Sequence, residues 1–522
     1  MRKSYQKAAA YKAGKEIFER MNNSMNHSIS QRKMTLKSSN GYLTVFLSLL
    51  LASFLAFILI LSEGIKKNTT LTEAEIAMDT ACYSGLAEYH QELLGQYDLL
   101  FIDSSYGYST PGAAAVGNHI KEYAVKNLSG TEFMDIGVRE IKMEEVSVAT
   151  DNDCDPIRRQ IVEYMKKELS LDLVEEVLQG YQTTCKTEFD QNEILKQRDK
   201  NKKDLDNAPN PTRVKKHKKK DPKTGKVSIT EEIEEVPIVD PAAGVNQQRN
   251  AGILNWVVAD PASVSCKTAG QSSCFTHRSP VIQGTGTLQN NPEQDNMVTY
   301  FEERALINQY LFEKCGYYGH EKENSRLCYQ IEYLIAKQDS DMENLKTVVT
   351  ELSAMREAAN AVYLYSDAAK MAEITALAST VAAVSLAPYL QPIIETSILF
   401  AWAYVESIQD IKILLEGGSV PLIKTGADWH TSLASAMGFQ DAFGNSQSGR
   451  GLNYRGYLTI LLATQTEETQ LEYLTDLIEM DVRETRYNEN FRMDGCIDAF
   501  RVIGTFHGVG GYECSINRVY SY

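Results

Sequence analysis

The stretch that decides how the rest of the chain is read is Lys37–Asn68, KSSNGYLTVFLSLLLASFLAFILILSEGIKKN. It carries no charge from Ser38 to Ser62, and Tyr42–Leu61 supplies twenty almost wholly apolar positions. At about 1.5 Å of rise per residue, such a run covers the roughly 30 Å hydrocarbon core of a bilayer. Three readings compete: a secretory signal to be removed, a pilin-type leader cut between Gly41 and Tyr42, and a permanent anchor. A secretory signal has a shorter apolar core and a small-x-small exit. Here the core is long, a long segment precedes it, and it leads into LILSEGIKK. An uncleaved transmembrane anchor over 41–63 fits better, with Gly41–Tyr42 kept as the processing site to test.

Charge sets the direction. Residues 1–40 hold nine Lys/Arg (Arg2, Lys3, Lys7, Lys12, Lys15, Arg20, Arg32, Lys33, Lys37) against Glu16 and Glu19. This +7 tail leaves −23 for the remainder of a chain whose net charge is −16. Lys66 and Lys67 compete on the far side, but the excess is N-terminal, which predicts a cytoplasmic tail and an extracytoplasmic body. The expected setting is a single-pass protein of the cell membrane.

All nine cysteines follow the anchor, and an extracytoplasmic face permits disulfides. Spacing suggests Cys266–Cys274 and Cys315–Cys328 as local pairs, with Cys154–Cys185 and Cys496–Cys514 as longer ones; spacing alone does not fix connectivity. Cys82 is left over, as a buried thiol or an intermolecular bridge.

Beyond the anchor, TLTEAEIAMDTACYSGLAEYHQELLGQYD reads as a further amphipathic helix opening with a capping box, Thr72 to Glu75, and carrying Ile76, Thr80, Tyr83, Ala87, His90 and Leu94 at helical spacing. YDLLFID reads as a buried strand and VREIKMEEVSVATDND as a half-exposed one. DPIRRQIVEYMKKELSLDLVEEVLQGY follows as an amphipathic helix. This 64–185 region has the general plan of pilin-like subunits.

Residues 186–250 are polar and charge-repetitive. Eight basic residues lie between Arg213 and Lys226, and five acids between Glu231 and Asp240. A basic run attracts polyanions, but no aromatic residue interleaves it for base stacking, so nucleic acid is not expected as a partner. The segment reads as a flexible charged insertion or a hairpin turning at DPKTG, with basic and acidic arms facing each other.

From 251 to 522 the chain reads as a mainly helical domain ending in β-strands. Ser340 and Glu343 form a capping box before a stripe of Leu345, Val348, Val349, Leu352, Met355, Ala359 and Val362. The uncharged run Ile374–Ile394 raises a second span, but Pro388, Gln391, Pro392 and the later Glu395, Glu406 and Asp410 favour two packed helices. The fold class expected is α+β, predominantly helical, with a disulfide-bearing ectodomain.

Catalytic motifs are missing: no G-x-S-x-G, H-E-x-x-H, phosphate loop or C-x-x-C occurs, and the eight histidines show no ligand spacing. No metal or cofactor is expected. The best enzyme candidate is Glu406 with Asp410, four residues apart and sharing one helix face. Paired carboxylates divide acid and base roles in glycosidases; the structural alternative pairs them with buried Lys424 and Arg356.

Several stretches together carry a family likeness: GYLTVFLSLLL…EG, AEYHQELLGQYDLLFIDSSYG, VATDNDCDPIRRQIVEYMK, YQIEYLIAKQDSDMENLKTVVTELSAMREAANAVYLYSD, LFAWAYVESIQDIKILLEGGSVPLIKTGADW and NYRGYLTILL…LEYLTDLIEMDVR. In combination the chain resembles an uncharacterised family of membrane-anchored bacterial proteins associated with Tad (tight-adherence) pilus assembly loci. The resemblance implies a setting, with the lipid bilayer and envelope or pilus-assembly proteins as partners, and no reaction. Prepilin peptidases cut after Gly and read Glu at the fifth mature position; here that position is Phe46. The expectation is a non-enzymatic, pseudopilin-like or accessory component. The alternatives are an anchored hydrolase of wall polymer using Glu406 and Asp410, or an anchored adhesin or sensor.

Overall fold

The computed structural model describes residues 40–522 apart from 109, 130–134, 170, 186–190, 221–226, 285–287, 289–296 and 440–449. The basic tail and the DPKTG turn lie outside the described residues. The N-terminal part runs α1 (Asn40–Leu86), β1 (Ile102–Asp103), α2 (Ala113–Leu128), β2 (Gly137–Val148), α3 (Asp151–Glu168) and α4 (Leu171–Cys185). Next come α5 (Gln191–Asp206), β3 (Thr212–Lys220), β4 (Val227–Glu235) and α6 (Met297–Lys314). The main elements beyond are α7 (Gln330–Ala336), α8 (Asp341–Ser366), α9 (Ala368–Val384), α10 (Gln391–Leu415), α11 (Tyr454–Ala463), α12 (Glu467–Arg483), β5 (Cys496–Gly508) and β6 (Tyr512–Ser521). The chain is predominantly helical, as expected.

α1 is one continuous helix of 47 residues, roughly 70 Å long at 1.5 Å per residue. The capping box at Thr72–Glu75 therefore starts nothing; those residues lie inside the helix. Every residue from 42 to 61 is exposed, whereas Thr70, Ala74, Ala77, Met78, Ala81 and Cys82 are buried. This is the one helix among the described residues long and apolar enough to cross a membrane. The buried face is not the expected one, since Ile76 and Tyr83 point outward. Small residues face the protein because the helix lies close to its neighbours: a Cβ at Gly85 would stand 3.0 Å from Ile120.

That neighbour layer is an antiparallel sheet. β5 is central, with β2 along one side and β1 and β6 sharing the other. Register shifts in β2 at Val138/Glu140, Met143/Glu145 and Ser147/Val148 mark bulges, which bend and twist the strand. Val146, Val148, Phe500, Val502, Phe506 and Ile516 meet α1 and α2 in a compact core. Arg518 pairs with Asp79 at 3.2 Å and Tyr520 donates to the same carboxylate at 2.6 Å, fastening β6 to α1. Of the expected strand YDLLFID only Ile102–Asp103 pairs, though Leu99 and Phe101 are buried beside it.

A larger helical core lies beyond the sheet. α10 is its axis, buried at every position from Ile398 to Ile411, as befits a helix surrounded by others. Ser340 caps α8 by accepting from the Glu343 N–H, but Val362 is exposed and Arg356, Glu357 and Asn360 are buried in its place. The segment DPIRR…QGY makes two helices, α3 and α4, rather than one. Within the charged insertion α5 is docked: Arg198, with Arg249 near the end of the same insertion, binds the buried Glu357 at 2.8 and 2.7 Å. The cores do not follow chain order, because β5 and β6 complete a sheet begun by β2.

The disulfide expectation is corrected. Cys154, Cys266, Cys274, Cys315, Cys328, Cys496 and Cys514 are all free, as is Cys82, and the Cys185 side chain lies outside the described residues. Cys496 stands opposite Asp103 whereas Cys514 stands opposite Phe506, ten positions further along β5, a separation of roughly 33 Å at strand rise. Cys154 instead faces the Thr475 hydroxyl at 3.7 Å, and Cys266 is exposed. Burial pushes the thiols of Cys154, Cys274 and Cys315 up to about 12. They pack as small apolar side chains.

Candidate functional site

α10 places Glu406 and Asp410 one turn apart, both fully buried, against α8 and the loop that follows α10. The i,i+4 spacing puts both carboxyl groups on one face, and two cations meet them. The Lys424 ammonium contacts Glu406 Oε1 and lies 2.5 Å from Asp410 Oδ1. Arg356 Nε donates to Asp410 Oδ2 at 3.0 Å, and Asn360 adds a second donor at 3.1 Å. Arg356 also donates to the Leu422 carbonyl at 2.9 Å and the Tyr457 hydroxyl at 3.1 Å. Two carboxylates and two cations make a neutral quartet.

Glu406 is the more heavily solvated by protein. Its Oε1 accepts from the His430 N–H at 2.9 Å and its Oε2 from the Thr431 N–H at 2.9 Å and hydroxyl at 2.7 Å. Burial opposes ionisation, but the hydrogen bond from His430 and the Lys424 charge outweigh it and hold the carboxyl down to about 2. For Arg356, burial is likewise outweighed, by Tyr457 and Asp410, so its guanidinium stays charged. Breaking one partner of such a set is far costlier than the set itself is stabilising.

Glu406, Asp410 and His430 also hold the one grouping among the described residues with metal-ligand spacing, their donor atoms lying within 4.8 Å of one another. The Lys424 ammonium occupies the space between the carboxylates, so a second cation there would meet direct repulsion. General acid catalysis needs a carboxyl raised toward neutrality; Glu406 is displaced the other way, with both oxygens already engaged. The arrangement is suited to locking α8, α10 and the 418–431 loop together.

Gly41 and Tyr42 sit in the first turn of the bare half of α1, Tyr42 with 84% of its surface exposed. Sequence reasoning missed a second set of buried acids. Glu332 on α7 is fully buried; it accepts from the Tyr454 hydroxyl and the Tyr318 N–H, each at 2.9 Å, while Oε2 has no hydrogen-bond partner among the described residues. Burial raises it to about 7. α12 contributes Asp476, Glu479 and Asp481; the first two hold a strap around residues 276–278, while Asp481 accepts from the Tyr97 hydroxyl and Gln330 at 2.7 Å and from the Arg326 N–H at 2.9 Å. Asp476 takes the Thr276 N–H and hydroxyl at 3.0 and 2.6 Å, and Glu479 takes Arg278 at 2.6 Å. Arg278 also reaches Asp494, which accepts the Val281 N–H at 2.8 Å. The signal for these was present: charges at core-facing positions in YQIEYLIA and LTDLIEMDVR.

No curated protein and no solved structure matches the chain. A family model described as a family of unknown function (DUF5702) matches residues 230–508, from β4 to the end of β5. The match takes in α10, the carboxylate quartet, both sets of buried acids and more than half of the sequence. The chain therefore belongs to this family of unknown function, DUF5702.

Proposed function

We propose that the protein is a non-enzymatic envelope component. It is held in the membrane by the first half of α1, with its N-terminus cytoplasmic and its body outside. There it acts as a pseudopilin-like or accessory part of a Tad-type pilus or secretion apparatus. The observation that carries this reading is the division of α1. Every residue of its apolar half, 42–61, is exposed, and its second half packs on an antiparallel sheet. A helix that is bare and apolar over one bilayer thickness and docked to a sheet over the rest is the layout of pilin-like subunits. Lys66 and Lys67 follow the apolar run, with the Lys67 ammonium 5.7 Å from the Tyr512 ring, a pairing suited to the membrane surface. The quartet around Glu406 and Asp410 speaks for structural cohesion rather than polymer hydrolysis.

Cys266 supplies a test of topology, because it is exposed. A membrane-impermeant maleimide applied to intact cells should label the wild type and lose most of that label in Cys266→Ser. Labelling only after permeabilisation would refute the orientation. Crosslinked membranes should yield pilus-assembly proteins with the purified chain, and their absence would refute the assembly role.

A further inference from the structure

β3 and β4 form a two-stranded arm that no third strand completes among the described residues. Every described side chain from Arg213 to Glu235 is exposed. Its ion pairs, Lys215–Glu234 at 2.5 Å, Lys216–Glu231 at 2.9 Å and His217–Glu232 at 3.2 Å, are all solvent-facing, and such pairs contribute little. An isolated two-stranded hairpin is marginal in water. One face nevertheless presents Val214 directly across from Ile233, with Ile229 further along, exposed by 50, 71 and 57%.

The edges carry opposite charge. β3 reads TRVKKHKKK, with six Lys/Arg and no acid; β4 reads VSITEEIEE, with four Glu and no base. The register is regular, and the Val236 N–H donates to the Pro211 carbonyl across the base of the arm. Hydrogen-bonded and non-hydrogen-bonded pairs alternate from there in an antiparallel ladder. Val214, Lys216 and Lys218 on β3, and Ile229, Glu231 and Ile233 on β4, therefore turn their backbone N–H and C=O groups away from the arm.

The geometry points to strand addition between copies of this chain: the basic β3 edge of one copy pairs with the acidic β4 edge of a second. Copies related by translation place β4 antiparallel to β3, so the combined sheet is antiparallel throughout and its Val214, Ile229 and Ile233 faces join. Pairing β3 with β3, or β4 with β4, opposes like charges across the new seam, which selects against a closed twofold dimer. Each copy gives one edge and offers the other, so the contact propagates. The inference stands on the arm alone and does not depend on the role proposed above.

The test uses the full chain in its native membranes, with p-benzoylphenylalanine at position 214 and light and heavy isotope-labelled copies mixed. Illumination should give dimers and longer products whose joined peptides link position 214 of one copy to residues 227–235 of another. Lys216→Pro removes an outward N–H from β3, and Ile233→Pro removes one from β4, positions an edge tolerates. Each variant alone should lower the crosslinked yield at least fivefold. Mixed together they retain one intact pair of edges and should recover dimers without longer products, a rescue that misfolded arms would not show. The inference is overturned by a lack of products between copies, or by links from 214 to residues 212–220 of another copy. It is equally overturned by products with a different protein or lipid alone, or by failure of the mixed variants to recover dimers.

Discussion

Replacing Lys424 with Met removes the one cation that touches both Glu406 and Asp410. Glu406 keeps the donors of His430 and Thr431, and Asp410 keeps Arg356 and Asn360, but two buried carboxylates then share a single guanidinium. Removing one partner of a buried ion pair costs about 3–5 kcal/mol. Glu406 is held from 4.5 down to about 2 by His430, Lys424 and Thr431 together, so only part of that shift goes with Lys424. Hydrogen exchange of α10 amides in the full chain, at neutral pH in detergent, reads the cost directly. Adding Glu406→Gln to Lys424→Met restores a balanced Asp410–Arg356 pair and should bring the loss back to within about 1–2 kcal/mol. Because the folded-state value of Glu406 is depressed, its contribution is full above about 4.5 and is lost as pH falls through about 2. A loss under about 1 kcal/mol for Lys424→Met, or no recovery in the double variant, would refute the quartet as the lock of this core.

Glu332 should show the opposite pH dependence. Its folded-state value is raised to about 7, so its contribution is full below the unfolded value and is lost as pH rises through about 7. From pH ~5 to ~8.5 the wild type should lose up to about 3 kcal/mol relative to Glu332→Gln, followed by denaturant titration at each pH. Gly504→Val should loosen α1 from the sheet by about 1–3 kcal/mol, since a Cβ there would lie 2.7 Å from Phe506 and 3.0 Å from Met78. Exchange at α1 residues 74–82 should rise while α10 stays protected, whereas Gly64→Ala, with nothing within 4 Å, should leave both unchanged. Thiol titration of the unreduced, denatured chain should find at least eight reactive cysteines, because the eight described ones are free; seven or fewer would reinstate a disulfide.

What could be read from the sequence was what local chemistry dictates. Twenty uncharged positions announced the bare half of α1, period-two alternation announced β2, and Ser340 with Glu343 announced the start of α8. The spacing of Glu406 and Asp410 on one helix left a catalytic pair or a pairing with Lys424 and Arg356 open, and those two cations are the ones that meet them. Contacts decided by distant segments were not readable. The face α1 turns inward is chosen by how closely a sheet approaches, which favours Ala74, Ala77 and Ala81 over the bulkier Ile76 and Tyr83. The partners of the α12 acids were not readable, because the strap that meets Asp476 and Glu479 comes from some two hundred residues earlier. Cysteine spacing misled for the same reason: proximity in sequence says little about thiols fixed on separate elements.

The central strand on which α1 rests comes from the last part of the chain, residues 496–508, with 512–521 beside it. A growing polypeptide thus delivers α1 well before the strands that cover Met78 and Cys82. Until then the second half of α1 lacks its cover, and a chain stopped short of β5 would leave it so. Products arrested or clipped before β5 should accordingly expose this apolar face and be removed rather than persist, which makes β5 and β6 a condition for α1 to settle.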